Sequence, residues 1–570
     1  MFGIRKISIC THTLLLLFWL FAIKGIAIGQ CVNQVRTYAT IQQTNEGLLT
    51  SVDNAANAVD GNPKTFSKLN RLIGLGLGSV TQYLKFSTPV TAGTPVTVKL
   101  SLPSSLLSLL AGVEVQPFTN LHDAGLFGWQ ADAAGQATTN ASLLGLINGA
   151  GDMEITIVPK TAGGVPVIYD GVWVSLTGVA VAQSLNLFHA YIKTDVASGS
   201  TMGCSTPVDV LAGTMAGTVV GGIANATGTV ANKWNAIDTD PTFSTYAELN
   251  VGAQVLSKVF HTTIFNVASQ PGDFVRMILQ DPGGGLLDLS VLSGFTIQFY
   301  NGSVAAGPSI SSSSGLLSIS LLPSTGGKYQ LDVLPPVITV PFDRVEVQMG
   351  GLADVSLTQG LRIYDVKRMV ATPAINIDGV ASSTKAVCAG NTATLSINNA
   401  QLCTTYNWYD AATGGNLLAA GNSYTPPVAN LSAVATNWFY VDATRNGCSE
   451  ATTRTPVNIN VNPLPAVITA TTPPICSGVV STAITYTATN TPITYSIVWD
   501  NAALTAGFIN ITNAVLPAGE ISVTVPANAP GATYNGIITV KNANDCLSAG
   551  KPFSITVDAK PTQPLINLTQ

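Results

Sequence analysis

Two related acidic loops are the best candidates for metal chemistry in the sequence. Asp60 lies in NAVDGNPKTFSKLN (57–70), and Asp238 and Asp240 lie in NAIDTDPTFSTYAELN (235–250). Calcium takes about six to eight oxygen ligands, supplied by carboxylates, Asn side chains and backbone carbonyls. The alternative use of such residues is an Asx-turn, in which the Asp oxygen accepts a hydrogen bond from nearby backbone. The loops therefore predict either a structural calcium site formed by these aspartates or ordinary turns.

The residue types needed for catalysis are sparse. After residue 29 the histidines are His122, His189 and His261, and no two of them stand at a spacing that would ligate one metal ion. No Gly-x-Ser-x-Gly nucleophile motif occurs. GLGLGS (74–79) is followed by neither a helix pattern nor a phosphate-binding lysine. A pair of distant carboxylates acting on a glycosidic bond stays open. We predict no catalytic residue and a protein that is not an enzyme.

Aromatic residues are the next candidates, because the face of a ring can stack on a sugar. In YNWYDAATGGNLLAAGNSYTP (406–426) Trp408 either presents such a face or fills the inside of a β-sandwich. Trp408 follows a cysteine-led strand, where an immunoglobulin-like domain has its core tryptophan. We therefore predict that Trp408 is buried, and Trp499 likewise. Trp438 and Tyr440 share one face of a strand, and we expect at least one of the two in the core.

Trp129 is the candidate ligand-binding aromatic. It lies in HDAGLFGWQADAAG (122–135), among Gly and Ala rather than in an alternating strand. A ring exposed there would stack on a ligand, and burial of one aromatic face contributes about 1–3 kcal/mol. A core-capping role for this ring is the alternative.

The elements that position these residues are predicted to be strands. Hydrophobic residues make up 46% of the chain, which excludes disorder. Abundant Thr, Val, Ser and Asn favour strands and turns over helices. Charged residues are only 10%, and 25 Lys and Arg against 30 Asp and Glu give a net charge of −5. No basic patch is present, so nucleic acid is excluded as a partner.

Two copies of one domain are predicted in the N-terminal two-thirds of the chain, at 31–196 and 203–370. The acidic loops recur in both copies, and VTVKLSL (96–102) recurs as VRMILQD (275–281), in the same order and at similar spacing. Short alternating strands such as MEITIV and YQLDVL are separated by Gly, Pro and Asn. This pattern predicts a jelly-roll-like β-sandwich for each copy.

Two smaller sandwiches are predicted to follow, at 374–462 and 464–560, with 561–570 as a linker to a further module. CAGNTATLSINNAQ (388–401) resembles CSGVVSTAITYTATN (476–490), and each opens one of the two segments. Both segments have the length of an immunoglobulin-like sandwich. The predicted fold class is therefore all-β, with tandem jelly-roll-like sandwiches followed by two immunoglobulin-like modules.

Residues 1–29 have the pattern of a secretory signal peptide. Arg5 and Lys6 precede an apolar run at 14–23 and a small-x-small end at 27–29. The apolar run is shorter than the ~20 residues that a membrane-spanning helix needs, and no later segment reaches ~18. We expect an exported protein, secreted or at the cell surface, without a transmembrane segment in the mature chain.

Seven of the eight cysteines follow residue 29, and disulfides persist in exported proteins. Cys388 and Cys476 open equivalent segments, and Cys448 and Cys546 follow equivalent strands. We therefore predict the disulfides Cys388–Cys448 and Cys476–Cys546, each contributing about 4 kcal/mol in the chain-entropy description. A disulfide between Cys403 and Cys448 is the alternative.

The segment 388–448 resembles the Ig-like modules of large Bacteroidetes surface proteins, through CAGNTATL, YNWYDAATGGNLL and NWFYVDATRNGC. The resemblance implies export by the type IX secretion system and a role in gliding motility or adhesion. The segment 476–546 is similar to the PKD-like module found beside those domains. NAVDGNP and NAIDTDP are similar to a segment of discoidin-like jelly rolls.

These expectations combine into an adhesin-type protein at the cell surface. The tandem at 31–370 is expected to be a binding head for polysaccharide, a cell-surface glycan or another surface protein. Residues 374–560 are expected to be a stalk, and linked modules raise avidity through effective concentration. Two alternatives stay open: the non-catalytic carbohydrate-binding portion of a polysaccharide-degrading enzyme, and a passive spacer.

Overall fold

The computed structural model shows a chain built almost entirely of β-strands. It describes residues 33–72, 78–102, 112–137, 149–177, 183–196, 206–215, 218–219, 222–223, 228–251, 258–281, 295–311, 315–322, 326–350, 360–398, 400–432, 435–446, 448 and 451–562. The chain divides into two compact units, of which the first holds residues up to 371 with 401–404 and 443–452, and the second holds the rest. Paired sheets form the sandwiches, so the predicted all-β fold class is confirmed.

The first sandwich packs two sheets around an apolar core. Its strands are β1 (Asn33–Tyr38), β2 (Ile41–Glu46), β3 (Thr50–Asp53), β4 (Ser67–Arg71), β5 (Val80–Val90), β6 (Val96–Leu102), β7 (Val113–Asp123), β8 (Trp129–Ala133), β9 (Gly149–Ile157), β10 (Tyr169–Leu176) and β11 (Gln183–Val196). One sheet, the hairpin sheet, has the order β2-β5-β10-β7-β8, and the other runs β3-β4-β11-β6-β9 with β1 also paired to β11. Leu84, Val98 and Val172 are among the buried side chains between them.

The second sandwich repeats this strand order. Its strands are β12 (Pro207–Met215), β13 (Thr218–Val219), β14 (Gly222–Ile223), β15 (Gly228–Ala231), β16 (Ala247–Val251), β17 (Lys258–Phe265), β18 (Phe274–Gln280), β19 (Phe295–Asn301), β20 (Val304–Ala305), β21 (Leu317–Leu321), β22 (Tyr329–Val333), β23 (Arg344–Gly350) and β24 (Leu361–Met369). The order β12-β17-β23-β19-β20 corresponds to the hairpin sheet, and β15-β16-β24-β18-β22 corresponds to β3-β4-β11-β6-β9, with β21 added at its edge.

The segments that repeat in the sequence occupy equivalent places in the two sandwiches. A 3-10 turn at Ala55–Val59 in the first copy matches one at Lys233–Ile237 in the second. Each turn is preceded by an asparagine in the left-handed region, Asn54 with φ 53° and Asn232 with φ 50°, which asparagine tolerates better than most residues. The repeat found in the sequence is therefore also a repeat of local backbone geometry.

The two sandwiches share one continuous sheet, because β9 of the first pairs with β12 of the second. Gly151 lies opposite Gly213, and Ala150 lies opposite Thr214. A Cβ atom at Gly151 would lie 2.5 Å from the carbonyl oxygen of Ala212, and one at Gly213 would lie 2.2 Å from that of Ala150. Both positions therefore require glycine, and the close approach of the two strands depends on them.

Burial shows which strands have one face in the core and which are covered on both faces. β22 alternates strictly between buried and partly buried residues, as a strand with one face in the core should. VTVKLSL in β6 is instead buried on both faces, including Thr97 and Lys99. The second face of β6 is covered because Lys99 reaches Asp209 in β12.

The immunoglobulin-like module packs two further sheets face to face. Its strands are β25 (Ala374–Ile377), β26 (Val380–Ala381), β27 (Thr384–Cys388), β28 (Leu395–Asn398), β29 (Thr404–Tyr409), β30 (Leu417–Ala420), β31 (Ser423–Tyr424), β32 (Thr436–Arg445) and β33 (Thr455–Asn462). One sheet has the order β26-β25-β28-β31, and the other, the aromatic sheet, has the order β27-β33-β32-β29-β30.

Trp408 in β29 is completely buried, as predicted, and its ring N–H donates to the carbonyl oxygen of Gly421 at 3.1 Å. The expectation for β32 is wrong. Trp438 is 48% exposed and Tyr440 is only partly buried, because the neighbouring Phe439 and Val441 take the inward positions. Because side chains along a strand alternate between its two faces, either Trp438 and Tyr440 or Phe439 and Val441 can face the core, but not both pairs.

The last module is a smaller sandwich of the same kind. Its strands are β34 (Ala466–Thr471), β35 (Ile475–Cys476), β36 (Ser481–Thr489), β37 (Pro492–Trp499), β38 (Ile511–Val515), β39 (Glu520–Thr524), β40 (Ala532–Asn542) and β41 (Lys551–Asp558), with one short helix, α1 (Asn501–Thr505). The sheets have the orders β34-β36-β39 and β35-β41-β40-β37-β38. Trp499 is buried as predicted, with its ring centroid 4.6 Å from that of Phe508 and 5.2 Å from that of Phe553.

The predicted disulfides Cys388–Cys448 and Cys476–Cys546 are wrong, because Cys388 is bonded to Cys546. Strand direction gives the reason in the first case. Cys388 ends β27 opposite Asn462, whereas Cys448 follows the far end of β32, which runs antiparallel to β33. The two cysteines therefore belong to opposite ends of the sheet, too far apart for a bond.

The same argument applies to the last module. Cys476 pairs with Asp558 at one end of β41, and Ala532 at the start of β40 lies at that end too. Cys546 follows the other end of β40. Cys476 keeps its thiol, and Cys403 is disulfide-bonded.

No helix in the described ranges is both long enough and apolar enough to cross a membrane.

Candidate functional site

The most distinctive surface feature is the β7–β8 hairpin, which folds across the outer face of the hairpin sheet. The strand pairing is interrupted by a bulge between Thr119 and His122, where Asn120 has φ 56°. A bulge bends the strand that contains it. As a result, Trp129 at the start of β8 reaches β2, which lies at the opposite edge of the same sheet.

Two reciprocal hydrogen bonds hold the hairpin there. The backbone N–H of Trp129 donates to Oδ1 of Asn45 at 2.8 Å, and Nδ2 of Asn45 donates to the carbonyl oxygen of Trp129 at 2.5 Å. Tyr83 adds a third, from its hydroxyl to the same carbonyl oxygen at 3.2 Å. Gly128 has φ 70°, and a Cβ there would lie 2.5 Å from Oδ1 of Asn45, so this contact requires glycine.

An aromatic cluster lies beneath the hairpin on the outer face of the sheet. The rings of Tyr83 and Trp173 meet edge to face with centroids 5.9 Å apart, and those of Phe118 and Trp173 stack at 6.2 Å. Phe118 lies opposite Gly171, where a Cβ would come within 2.7 Å of its ring. Tyr83 and Phe118 are buried although they point away from the core, because the hairpin covers them.

The tip of the hairpin is apolar and exposed. Leu126 and Phe127 form a 3-10 turn with Gly125, and they are 103% and 78% exposed. Trp129, the predicted ligand-binding residue, is partly buried, and its role in ligand binding stays a prediction. Sequence reasoning missed Leu126 and Phe127, although two large apolar residues enclosed by Gly125 and Gly128 were the available signal.

Polar contacts fix the shape of the tip. Asp123 accepts the N–H of Gly125 at 2.8 Å, and Asn120 donates to Asp132 at 3.0 Å. Nδ1 of the exposed His122 lies 2.9 Å from the carbonyl oxygen of Asn120. The hairpin is therefore a braced structure that presents two apolar side chains.

The acidic loops are built as turns in both copies. Asp60 accepts the N–H of Asn62 at 2.8 Å and the hydroxyl of Thr65 at 2.7 Å. Asp238 accepts the N–H of Asp240 at 3.1 Å and a hydroxyl hydrogen bond from Thr245 at 2.5 Å. The carboxylates of both loops thus already receive hydrogen bonds from their own loops.

Asp240 is the most heavily used of these carboxylates. It accepts from both the N–H and the hydroxyl of Thr242 and of Ser244, at 2.6–2.9 Å. The Ser244 and Thr242 hydrogen bonds hold the pKa of Asp240 well below its usual range. In the described part of the chain, no three His, Cys, Asp or Glu side chains converge as metal ligands. A calcium ion at Asp60, Asp238 and Asp240 stays a prediction.

Buried charges lie where the two sandwiches meet. Asp209 in β12 receives Nζ of Lys99 at 2.5 Å and Nη1 of Arg36 at 3.2 Å. Glu154 in β9 lies 3.0 Å from Nη2 of Arg344 and 3.8 Å from Nη1 of Arg36. These five side chains alternate in sign and form one network, which we call the seam network.

The electrostatics of the seam network follow from burial and pairing. Burial alone would raise the pKa of Asp209, but Lys99, the contact with His189 and Arg36 hold it well below its usual range. Burial would also raise the pKa of Glu154, and Arg344 and Arg36 lower it instead. Since Lys99 and Asp209 are fully buried, the network is closed to a substrate and its role is structural.

His122, His189 and His261 do not form a catalytic group. His189 is buried, with Nε2 3.6 Å from Asp209, and burial lowers its pKa. His261 is buried and bonded to the carbonyl oxygen of Lys233 at 2.8 Å. Both belong to the boundary between the sandwiches, whereas His122 is exposed on the hairpin.

The solved structures to which this chain is similar include three that are distant in sequence. The fibronectin(III)-like modules of Clostridium thermocellum CbhA are 16% identical, cover 34% of this chain and 100% of that chain, and have a TM-score of 0.21. Titin domains A168–A170 are 13% identical and cover 52% of this chain and 97% of that chain, with a TM-score of 0.22. The CBM32-1 and CBM32-2 domains of Clostridium perfringens ZmpB are 12% identical and cover 59% of this chain and 94% of that chain, with a TM-score of 0.17. None is close enough to carry a functional assignment.

No curated protein matches the sequence. One family model does, and it covers the module that contains Trp408. Residues 377–463 are similar to the family described as "Ig-like domain CHU_C associated".

Proposed function

We propose that this chain is an adhesin-type protein that acts outside the cell, without catalysis of its own. The tandem sandwiches form the binding head, and the two immunoglobulin-like modules form a stalk. The partner is a polysaccharide, a cell-surface glycan or another surface protein. The observation that carries the proposal is the braced hairpin tip, which exposes Leu126 and Phe127.

The tip has the features of a contact site rather than of a loose loop. Its base is fixed by Asn45 and Tyr83, so little conformational entropy is lost when a partner binds. Burial of one large apolar side chain contributes about 1.5–3 kcal/mol. Leu126 and Phe127 together therefore supply a weak, usable anchor.

The rest of the molecule supports this role. The continuous sheet through β9 and β12 joins the two sandwiches of the head through backbone hydrogen bonds. Weak single contacts become effective when several linked copies bind one surface, because the second contact is made at high effective concentration. The similarity of residues 377–463 to an Ig-like domain supports a modular stalk.

The test uses the full mature chain and binding to whole bacterial cells and to insoluble polysaccharide. We expect the double variant Leu126→Ser/Phe127→Ser to lose about tenfold or more in apparent affinity. Its matched control is Val304→Ser in the second sandwich. Val304 begins β20, which corresponds to β8, and is 69% exposed.

The proposal is overturned if the Leu126/Phe127 variant binds as the wild type does. It is also overturned if the Val304 variant loses binding to the same extent, since exposed apolar area in general would then explain retention. Unchanged melting temperatures in all three proteins show that the substitutions act on binding and not on folding.

A further inference from the structure

The aromatic sheet of the immunoglobulin-like module carries a second surface with its own chemistry. Trp438 and Tyr440 stand two residues apart on β32, on the face that points away from the core. Their ring centroids are 6.5 Å apart and their planes differ by 24°. The two rings are thus stacked neighbours with nearly parallel planes, at a spacing close to the strand repeat of about 6.8 Å for two residues. We call Trp438, Tyr440 and the polar groups beside them the aromatic surface.

Amide and hydroxyl groups border the aromatic surface on the β33 side. Asn458 lies opposite Trp438, and Asn460 lies opposite Thr436. Thr384 donates to Oδ1 of Asn458 at 2.6 Å, and Thr436 donates to Oδ1 of Asn460 at 2.7 Å. The amides are therefore held in fixed orientations beside the rings.

The NH2 groups of these amides differ in what they do. That of Asn460 donates to the hydroxyl of Thr384 at 3.3 Å. Asn458 accepts at its oxygen, and within the described residues its NH2 group makes no hydrogen bond. This leaves one oriented donor directly beside Trp438, where a ligand hydroxyl would accept it.

Charge is compensated at the other end of the surface. Arg454 lies over the ring of Tyr409, with Cζ 3.3 Å from the centroid, and it pairs with Asp442 at 3.5 Å. It also donates to the carbonyl oxygens of Ala411 and Gly414, both at 2.6 Å. Arg454 therefore borders the surface at this end. Because Asp442 compensates its charge, it gives the surface no net positive charge.

The fold itself does not need these rings. Phe439 and Val441 supply the core contacts of β32, and an outward strand position is satisfied by Thr or Val. Nearly half of the Trp438 side chain stays in water, which costs free energy that a ligand would recover.

We propose that Trp438, Tyr440 and Asn458 form a binding surface for an uncharged polysaccharide. A pyranose ring has an apolar C–H face, which suits the negative face of an aromatic ring, and equatorial hydroxyls at its edge, which suit an amide donor. The compensated charges exclude a polyanion as the favoured ligand, because no free cation is present in the described part of this surface to pair with it.

This surface is distinct from the hairpin tip and adds a second contact within the region assigned to the stalk. The inference stands whether or not the tip binds. If both bind, one chain is bivalent, and its avidity exceeds either affinity alone.

The experiment measures retention of the full mature chain on insoluble cellulose, β-mannan and chitin, with alginate gel as the acidic probe. We expect retention on at least one neutral polysaccharide and little on alginate. Trp438→Ala and Tyr440→Ala should each weaken that retention about tenfold, and Asn458→Ala by a smaller factor. Tyr440→Phe should keep it, because the ring is kept.

The matched control is Val380→Ala, on the opposite sheet of the same module, where Val380 is 68% exposed. It should bind as the wild type does. The inference is overturned by equal retention of the wild type and Trp438→Ala, by absence of retention on all three neutral polysaccharides, or by a preference for alginate.

The Leu126→Ser/Phe127→Ser variant separates the two proposals. If this variant keeps the Trp438-dependent retention, the aromatic surface acts on its own. If it abolishes retention while Trp438→Ala does not, the head is the binding site and the present inference fails.

Discussion

At the scale of the residue, His261 is the buried group whose ionisation most directly opposes folding. It is 1% exposed, and its Nδ1 has no hydrogen-bond partner. Nε2 lies 2.8 Å from the carbonyl oxygen of Lys233, so it carries the proton and donates. Burial lowers the pKa of His261 to about 4. The neutral imidazole is therefore the form that the fold accepts.

Acid should destabilise the tandem sandwiches through this residue. The folded pKa lies below the unfolded value of about 6.5, so the stability is fully present above pH ~6.5 and is lost as the pH falls towards 4. We expect a loss of about 2–3 kcal/mol in the free energy of unfolding between pH 7 and pH 4.5 from His261 alone. Urea denaturation at the two pH values measures it.

His261→Gln should shrink this loss, because glutamine can donate to the Lys233 carbonyl oxygen and does not titrate. His189, whose pKa is also lowered by burial, keeps part of the loss in place. His122→Gln is the control, since His122 is exposed and its replacement should leave the pH dependence unchanged. The same loss in His261→Gln as in the wild type would contradict the assignment.

Residue burial was predictable where one feature dominated. The position of Trp408 and of Trp499, each in the strand after a cysteine-led strand, predicts that both lie in a core, and both are buried. Aromatic character alone does not predict the burial of Trp438 and Tyr440, because the alternation of the strand decides which side chains point inward. Phe439 and Val441 alternate with them along β32, and this more apolar set of side chains is the one that faces the core.

At the scale of the element, the disulfide Cys388–Cys546 joins two modules at their junction. Ala389, next to Cys388, donates its N–H to the carbonyl oxygen of Asn462 at 2.9 Å. Asn542, whose side chain accepts the N–H of Cys546, donates to the carbonyl oxygen of Pro463 at 3.1 Å. Both cysteines thus flank the short connection at 462–463. The bond fixes the last module to the immunoglobulin-like module that precedes it.

Replacing this bond should lower stability without unfolding either sandwich, because each has its own core. A loop of 158 residues corresponds to about 5 kcal/mol in the chain-entropy description. We expect Cys388→Ser/Cys546→Ser to lower the melting temperature of the two modules and to make the connection at 462–463 open to protease.

Cys476→Ser is the matched control, since Cys476 is an exposed thiol in the same modules. It should leave the melting temperature unchanged. An equal loss of stability in Cys476→Ser and in the double variant would contradict the role given to Cys388–Cys546.

Elements were predictable from the sequence more readily than their connections. Strand positions followed from alternation and from Gly, Pro and Asn between the runs. The cysteine pairing did not follow, because a repeat indicates which positions are equivalent and not which end of a sheet each one occupies. The direction of β32 relative to β27 decides the matter, and it is a property of the assembled sheet.

At the scale of the whole molecule, the seam network is the feature that the sequence concealed best. Arg36, Lys99 and Glu154 come from the first sandwich, and Asp209 and Arg344 come from the second. Each charge lies in a strand of ordinary composition, and only the pairing of β9 with β12 brings them together. The pairing requires Gly151 and Gly213, but two glycines far apart in the sequence do not indicate that their strands pair.

Asp209→Asn should destabilise the tandem strongly, because it leaves Lys99 buried without its counter-charge. Breaking a buried pair by removal of one partner costs about 3–5 kcal/mol. Lys99→Met/Asp209→Asn should recover part of the loss, since both charges are then absent. Urea denaturation of the three proteins measures the difference.

Asp332→Asn is the control for this prediction. Asp332 pairs with Arg276 at 2.7 Å, but both side chains are about a quarter exposed, and such a pair contributes about 1 kcal/mol or less. A small effect of Asp209→Asn, similar to that of Asp332→Asn, would show that the two sandwiches do not depend on the network.

Under mechanical tension, the Cys388–Cys546 bond determines which part of the chain carries the force. When the chain is pulled from both sides of these modules, the force enters at Cys388 and leaves at Cys546 through the covalent bond. The peptide between them, within a sequence separation of 158, carries none of the load and cannot be drawn out. The bond thereby prevents an extension of roughly 500 Å, because the segment that contains Trp408, Trp438 and Trp499 cannot lengthen under load.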